Sequence, residues 1–353
     1  MSRTMRGRSD TLTGSAQKKK TEHEGLGILH GYGRVTDSKI ISICANSQYV
    51  FTSDVAGNIK QFSLVDNSIS NESPKCTRGR IISMVVVSGS VFVSDDWGYL
   101  KEISAEDLSL KTDYGHIHKG GIWSIVATQD SKSVFTSDDQ GHIKQFSVLK
   151  SALTKDHGVL RRTFVRAIQT CPENSYFFLS DLTGHLLQYK MSDRDLKLDH
   201  DYQQIHKGGI RSLACTKDAL YLFTTEYNGI MKQWNYKNKS MVKYYGNIHA
   251  CGINCVVTLF NNRYIYSSDE SGLIKQILLE NHKLIKTYKD VHTDSIECIF
   301  CTEEYMFTSS ANGFLTKHRL DEPILEDEAP VEEENLQQSI GDVLSLIKSG
   351  YFR

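Results

Sequence analysis

The chain has 353 residues, with 41 Lys and Arg against 42 Asp and Glu and a formal net charge of −1. That balance supplies no overall field for nucleic acid or an anionic membrane. The sequence also shows no N-terminal apolar run of the signal-peptide type and no stretch of about 18 apolar residues for a membrane span. Cytoplasmic residence is therefore expected, or a nuclear one, with neither nucleic acid nor membrane as partner.

Residues 1–24 lack apolar periodicity and read as a disordered basic tail. Lys18, Lys19 and Lys20 read as a solvated run, with assisted nuclear entry as the alternative. From residue 25 to 320 one phrase recurs seven times, typified by Phe135-Thr-Ser-Asp-Asp-Gln-Gly141-His-Ile-Lys-Gln-Phe146. Its glycines are Gly57, Gly98, Gly141, Gly184, Gly229, Gly272 and Gly313, spaced 41, 43, 43, 45, 43 and 41 residues apart. Six residues before each stands an aromatic (Phe51, Phe92, Phe135, Phe178, Phe223, Tyr266, Phe307), and four before stands a hydroxyl (Ser53, Ser94, Ser137, Ser180, Thr225, Ser268, Ser309). Three before is an acid in six copies (Asp54, Asp95, Asp138, Asp181, Glu226, Asp269) and Ser310 in the seventh. A fixed period of this length marks a repeat architecture whose units bury their faces against one another.

Each period reads as four strands. An extended one ends near a Tyr and a His, as at Tyr114 to His118; then come a strand such as 122–128, the aromatic-hydroxyl strand, the glycine turn, and a strand such as 142–148. The last copy stops at Leu320 without a fourth strand, while a strand near Leu26–Val35 precedes the first copy with no sheet of its own. Unpaired edges are a liability that closure removes. The expected fold is thus all-β: a closed ring of seven four-stranded blades, completed by the N-terminal strand.

These features (a 41–45-residue period, a His before the second strand, a Gly-x-Ile-Lys-x-aromatic strand) resemble the WD-repeat β-propeller family over about residues 26–320. The repeats are divergent. The family's Trp-Asp pair is represented by Phe62-Ser63, Phe146-Ser147, Tyr189-Lys190 and Trp234-Asn235, and the turn acid stands three residues before the glycine instead of beside it. The resemblance implies a structural network inside each blade. In it His118, His206, His249 and His292 would meet the turn acids Asp54, Asp95, Asp138, Asp181 and Asp269 of their copies, together with the hydroxyl one residue before the acid. Those histidines occupy different blades, so no metal and no cofactor is expected. Cys298 and Cys301 have a metal-like spacing, but residues three apart on a strand face opposite ways. Cys255 and Cys298 fill the slot held by Ser42, Ser83, Ser124, Ala167 and Ser212 in the other copies, and read as structural thiols.

Four residues after each glycine come Gln61, Glu102, Gln145, Gln188, Gln233, Gln276 and Lys317. A polar group repeated in an inward-leaning slot suggests pairing within or between blades, or with the displaced acid. Since repeated residues build the scaffold, function is sought where copies differ. On the face around the central channel those positions are Trp97, Asp139, Tyr227 and Glu270 in the glycine turns, and Trp123, Arg166, Arg211, Asn254 and Glu297 at the start of the second strand. Trp, Tyr and Arg dominate binding hot spots. Arg161 and Arg162 add positive charge where the fourth copy loses its His, and residues 65–77 and 149–164 read as specialised loops.

After Leu320, residues 321–335 form an acidic linker, and residues 336–353 hold an amphipathic helix with Leu336, Ile340, Val343, Leu344 and Ile347 on one face. That helix would provide a second attachment, docking on the propeller or on a partner. No glycine-rich phosphate loop, Gly-x-Ser-x-Gly elbow or His-Glu-x-x-His is present. The sequence therefore points to a non-enzymatic scaffold for protein partners of unknown identity, as a subunit of a larger complex, with nothing to indicate a homo-oligomer. The alternatives are a reader of a charged ligand or peptide end at the channel mouth and, third, a propeller hydrolase.

Overall fold

The computed structural model describes residues 27–192, 195–259, 261–289 and 291–320. The basic tail, the acidic linker and the helix expected at residues 336–353 lie outside them. Seven antiparallel four-stranded sheets form the blades of a propeller. Blade 3 shows the plan: Ile122–Ala127 innermost, then Ser133–Asp138, His142–Ser147 and the outer strand Ala152–Val159. The innermost strands of the other blades begin at Ile40, Ile81, Val165, Ile210, Ile253 and Ile296. Blade 7 is built from both ends of the repeat region. Ile28–Arg34 pairs with Phe314–Arg319, aligning Arg34 with Phe314 and Ile28 with His318, and Val35 N–H donates to the Gly313 carbonyl at 2.9 Å.

The repeated aromatics explain why the blades stack. All seven are at most 2% exposed, and each belongs to a cluster formed with a neighbouring sheet. Between blades 3 and 4, Phe135 meets Phe177 at 5.1 Å and packs with Ile143, Val165 and Ile168. Each such ring contributes about 1.5–3 kcal/mol relative to an exposed one. Hydrogen bonds add a second tie around the channel. The hydroxyls of Ser42, Ser83, Ser124 and Ser212 accept the N–H of Met84, Ile125, Ile168 and Val256 on the next innermost strand, at 3.1–3.3 Å. The same slot holds Cys255, whose thiol donates to the Ile299 carbonyl at 3.5 Å. All eight cysteines are free thiols.

Two expectations are corrected. The stretches read as specialised loops, 65–77 and 149–164, contain the outer strands Ile69–Ser73 and Ala152–Val159. An outer strand has a solvated face and one unpaired edge, so few of its positions must match the repeat. The repeat signal fades there without a change of structure.

Candidate functional site

Each glycine turn starts at its acid. In blade 3, Asp138 Oδ1 accepts the N–H of Gln140 at 2.9 Å and of His142 at 2.8 Å, an arrangement that suits a short carboxylate side chain. Asp54, Asp95, Asp181 and Asp269 do the same in their blades. The glycine that follows takes positive φ, and a Cβ on Gly184 (φ +83°) would run into the His206 carbonyl.

The second carboxylate oxygen serves the histidine. His118 Nδ1 lies 3.0 Å from Asp138 Oδ2, and its Nε2 lies 2.8 Å from Thr136 Oγ1. His249 repeats this with Asp269 (2.7 Å) and Ser267 (2.8 Å). In blade 5, His206 stands 2.8 Å from Glu226 and 2.7 Å from the Thr224 hydroxyl, which also accepts the Trp234 indole N–H at 3.2 Å. In blade 7 the Thr308 hydroxyl joins His292 (2.9 Å) to His318 (3.0 Å). The hydroxyl in this network therefore sits five residues before the glycine, not four. Strand alternation is the reason: the acid and the residue two before it share a face, and the intervening hydroxyl looks away. Ser94 and Ser180, in that intervening position, donate instead to carbonyls of the innermost strand at 3.1 Å. Where the histidine is missing, another group takes its place. Thr36 donates to Asp54 at 2.6 Å, and Arg161 Nε donates to Asp181 at 3.0 Å, so Arg161 belongs to the scaffold.

The network fixes charge states. Burial opposes ionisation of Asp269, yet bonds from His249, the Leu273 N–H and Ser271 bring its carboxyl down to about 2. Burial, with the charge of Lys232, pushes His206 down to about 3, and burial takes His292 to about 4. Among the described residues no group of three His, Cys, Asp or Glu side chains converges as metal ligands would.

The amide row is buried, and in four blades its partner is a tyrosine of the outer strand, while Gln61 meets Asn71 and Gln145 meets His157. Gln188, Gln233 and Gln276 accept from Tyr202, Tyr245 and Tyr288 at 2.6–2.8 Å, and Glu102 accepts from Tyr114 at 3.0 Å. Gln61 and Gln188 also donate to backbone carbonyls of the next blade, at Ala105 (2.8 Å) and Tyr236 (3.2 Å). The expected pairing with the turn acid does not form. Gln145, for example, aligns with Phe135 in mid-strand, several residues from the turn at Asp138.

The channel mouth is where the blades differ. The second residue of each innermost strand lines a cavity of about 230 Å³. Ile41, Ile82 and Trp123 form an apolar arc; Arg166 and Arg211 follow, and then Asn254 and Glu297. Trp123 lies between the Phe164 ring (4.9 Å) and the Arg166 guanidinium (5.2 Å). Arg211 stacks on Tyr227 at 4.4 Å and pairs with Glu270 at 2.5 Å. That cluster packs over Gly252, where a Cβ would come within 2.8 Å of Arg211. Glu297 is held by Lys39 at 2.8 Å and by the Ser295 hydroxyl at 2.7 Å. Trp97, 55% exposed, lies against Gly79 on the rim, and Asp139 lies against Gly120. The structure thus gathers Trp123 with Arg166 and Arg211 with Tyr227 and Glu270, whereas Trp97, Asp139 and Glu297 make separate contacts. Gly252, Phe164 and Lys39 were not singled out from the sequence; a glycine facing two large side chains gives no periodic signal.

No family model matches the sequence, and no curated protein matches it. The fold matches 1890 solved chains, so architecture alone cannot select a function. One of them, the computationally designed protein Ika8, known from a crystal structure, aligns with a TM-score of 0.64 at 13% identity, covering 84% of this chain and 100% of its own. That likeness concerns the fold.

Proposed function

We propose that the chain is a divergent, non-enzymatic propeller of the WD-repeat type, and that it holds protein partners on the face bearing the glycine turns, in a cytoplasmic or nuclear complex. One observation carries this reading. The stacked Arg and aromatic groups at the channel mouth, Trp123 with Arg166 and Arg211 with Tyr227, stand where the seven copies diverge. Such side chains supply large contact areas at little entropic cost when already held in place, as here by stacking and by Glu270. The hydrolase reading has less support, because the turn aspartates are engaged by backbone N–H groups and by histidine or its replacements.

The test is affinity capture with the full-length chain, comparing the wild type with a Trp97→Ala/Arg211→Ala/Tyr227→Ala variant and with Lys155→Glu on an outer strand. Proteins retained by Lys155→Glu and lost by the triple variant would support the reading. The opposite pattern would refute it.

A further inference from the structure

The charges around the mouth are even in number but not paired: the Asp139 carboxylate lies against Gly120 with Oδ1 buried and unpartnered, and one cation has no carboxylate of its own. Arg211 is matched by Glu270, and Lys39 by Glu297. Arg166 has no carboxylate partner among the described residues, and its Nε is buried with no acceptor. The Trp123 indole N–H, on the ring over which Arg166 stacks, is buried and unpartnered as well. Burial, followed by the charge of Arg211, disfavours the guanidinium, with Tyr227 and Glu297 offsetting part of that. A guanidinium cannot escape by deprotonating, so one compensated only in part, beside a second cation, is costly. A second cavity, of about 430 Å³, lies near Arg34 and Lys60, and both are matched: Arg34 pairs with Asp37 at 3.5 Å and Lys60 with Glu72 at 2.8 Å.

A guanidinium without a carboxylate partner and two unpartnered N–H donors beside an apolar arc suit a ligand with one negative charge next to an apolar group. A phosphate dianion fits less well, since Glu297, Glu270 and Asp139 border the mouth and Arg166 alone among its cations lacks a carboxylate partner. We propose that the cavity takes the free C-terminal carboxylate of a partner polypeptide whose last residue is apolar. The carboxylate would meet Arg166 and the Trp123 N–H, and the terminal side chain would lie against Ile41 and Ile82. This deepens the platform reading and rests on it.

The experiment is fluorescence polarisation with full-length protein and twenty pools of labelled decapeptides. Each pool has one fixed last residue and randomised residues upstream, and is made both as free acid and as C-terminal amide. Acids ending in Leu, Ile, Val, Met or Phe should bind, and their amides should bind at least about tenfold more weakly. Arg166→Gln should lose at least about tenfold for the acids, Arg166→Lys less, and Arg34→Gln nothing. Equal binding of acids and amides, no binding by any pool, or indifference to Arg166→Gln would overturn the proposal. So would tighter, Arg166-dependent binding of peptides carrying an internal phosphoserine. If the triple variant loses its partners while acids and amides bind alike, the platform stands and the carboxylate site falls. If the triple variant keeps its partners, the platform itself falls.

Discussion

His318 offers a quantitative probe of the buried polar network. It is fully buried in blade 7, bonded through Nε2 to the Thr308 hydroxyl, and its Nδ1 has no partner. Burial, with the neighbouring His292, pushes it from its ordinary 6.5 to about 3. Between those values the unfolded chain binds the proton and the folded one does not. Stability from this group is therefore full above pH 6.5 and falls as the medium is acidified. Each pH unit in the window is worth about 1.4 kcal/mol, so lowering the pH from 7 to 5 costs the wild type about 2 kcal/mol through His318. His318→Phe removes that dependence. The ring matches Phe62 and Phe146 at the same repeat position, and Thr308 keeps its bond to His292. At pH 7 the variant should lie within about 1 kcal/mol of the wild type, trading one hydrogen bond for an unpartnered nitrogen. At pH 5 it should gain about 2 kcal/mol relative to that difference, on the order of 4 °C in melting temperature. Thermal melts followed by circular dichroism at both pH values provide the assay. Parallel pH profiles for the two proteins would refute the assignment of a buried neutral imidazole.

Three further outcomes are expected. Gly184→Ala should destabilise by more than about 2 kcal/mol, since it combines a left-handed backbone with a clash against the His206 carbonyl; a melting shift under 2 °C would contradict this. Gln276→Leu should cost about 1–3 kcal/mol by orphaning the Tyr288 hydroxyl, and adding Tyr288→Phe should recover much of the loss, as a double-mutant cycle in urea would show. Cys255→Ser should change stability by less than about 1 kcal/mol, because serine fills the same slot in four blades and accepts the neighbouring N–H there; a larger loss in a melt under reducing conditions would count against that equivalence.

The ring was legible because glycine turns and buried aromatics obey a strict period that the geometry enforces. The network was only partly legible. The hydroxyl found in all seven copies drew the assignment, yet the partner of the histidine is the neighbouring position. There Thr136, Thr224, Ser267 and Thr308 accompany the four histidines, while of the three blades without one two have Val93 and Leu179 and the third keeps Thr52. Covariation within the chain and the two-residue alternation of a strand together contained the answer. Arg161 was harder, since a guanidinium replacing an imidazole shares its charge but not its shape. The channel mouth is legible as the positions where the copies disagree. Which of its charges remain unmatched depends on contacts across blades, such as Lys39 with Glu297, that no local spacing encodes.

The joining of Ile28–Arg34 to Phe314–Arg319 has a consequence for biosynthesis. The ribosome releases the first of these segments long before the second, and at 5–20 residues per second the interval is roughly tens of seconds. Until the second segment emerges, the first has no strand to pair with and the ring cannot close. A chaperone with affinity for extended apolar segments should therefore engage this protein during translation and let go once the final hairpin emerges.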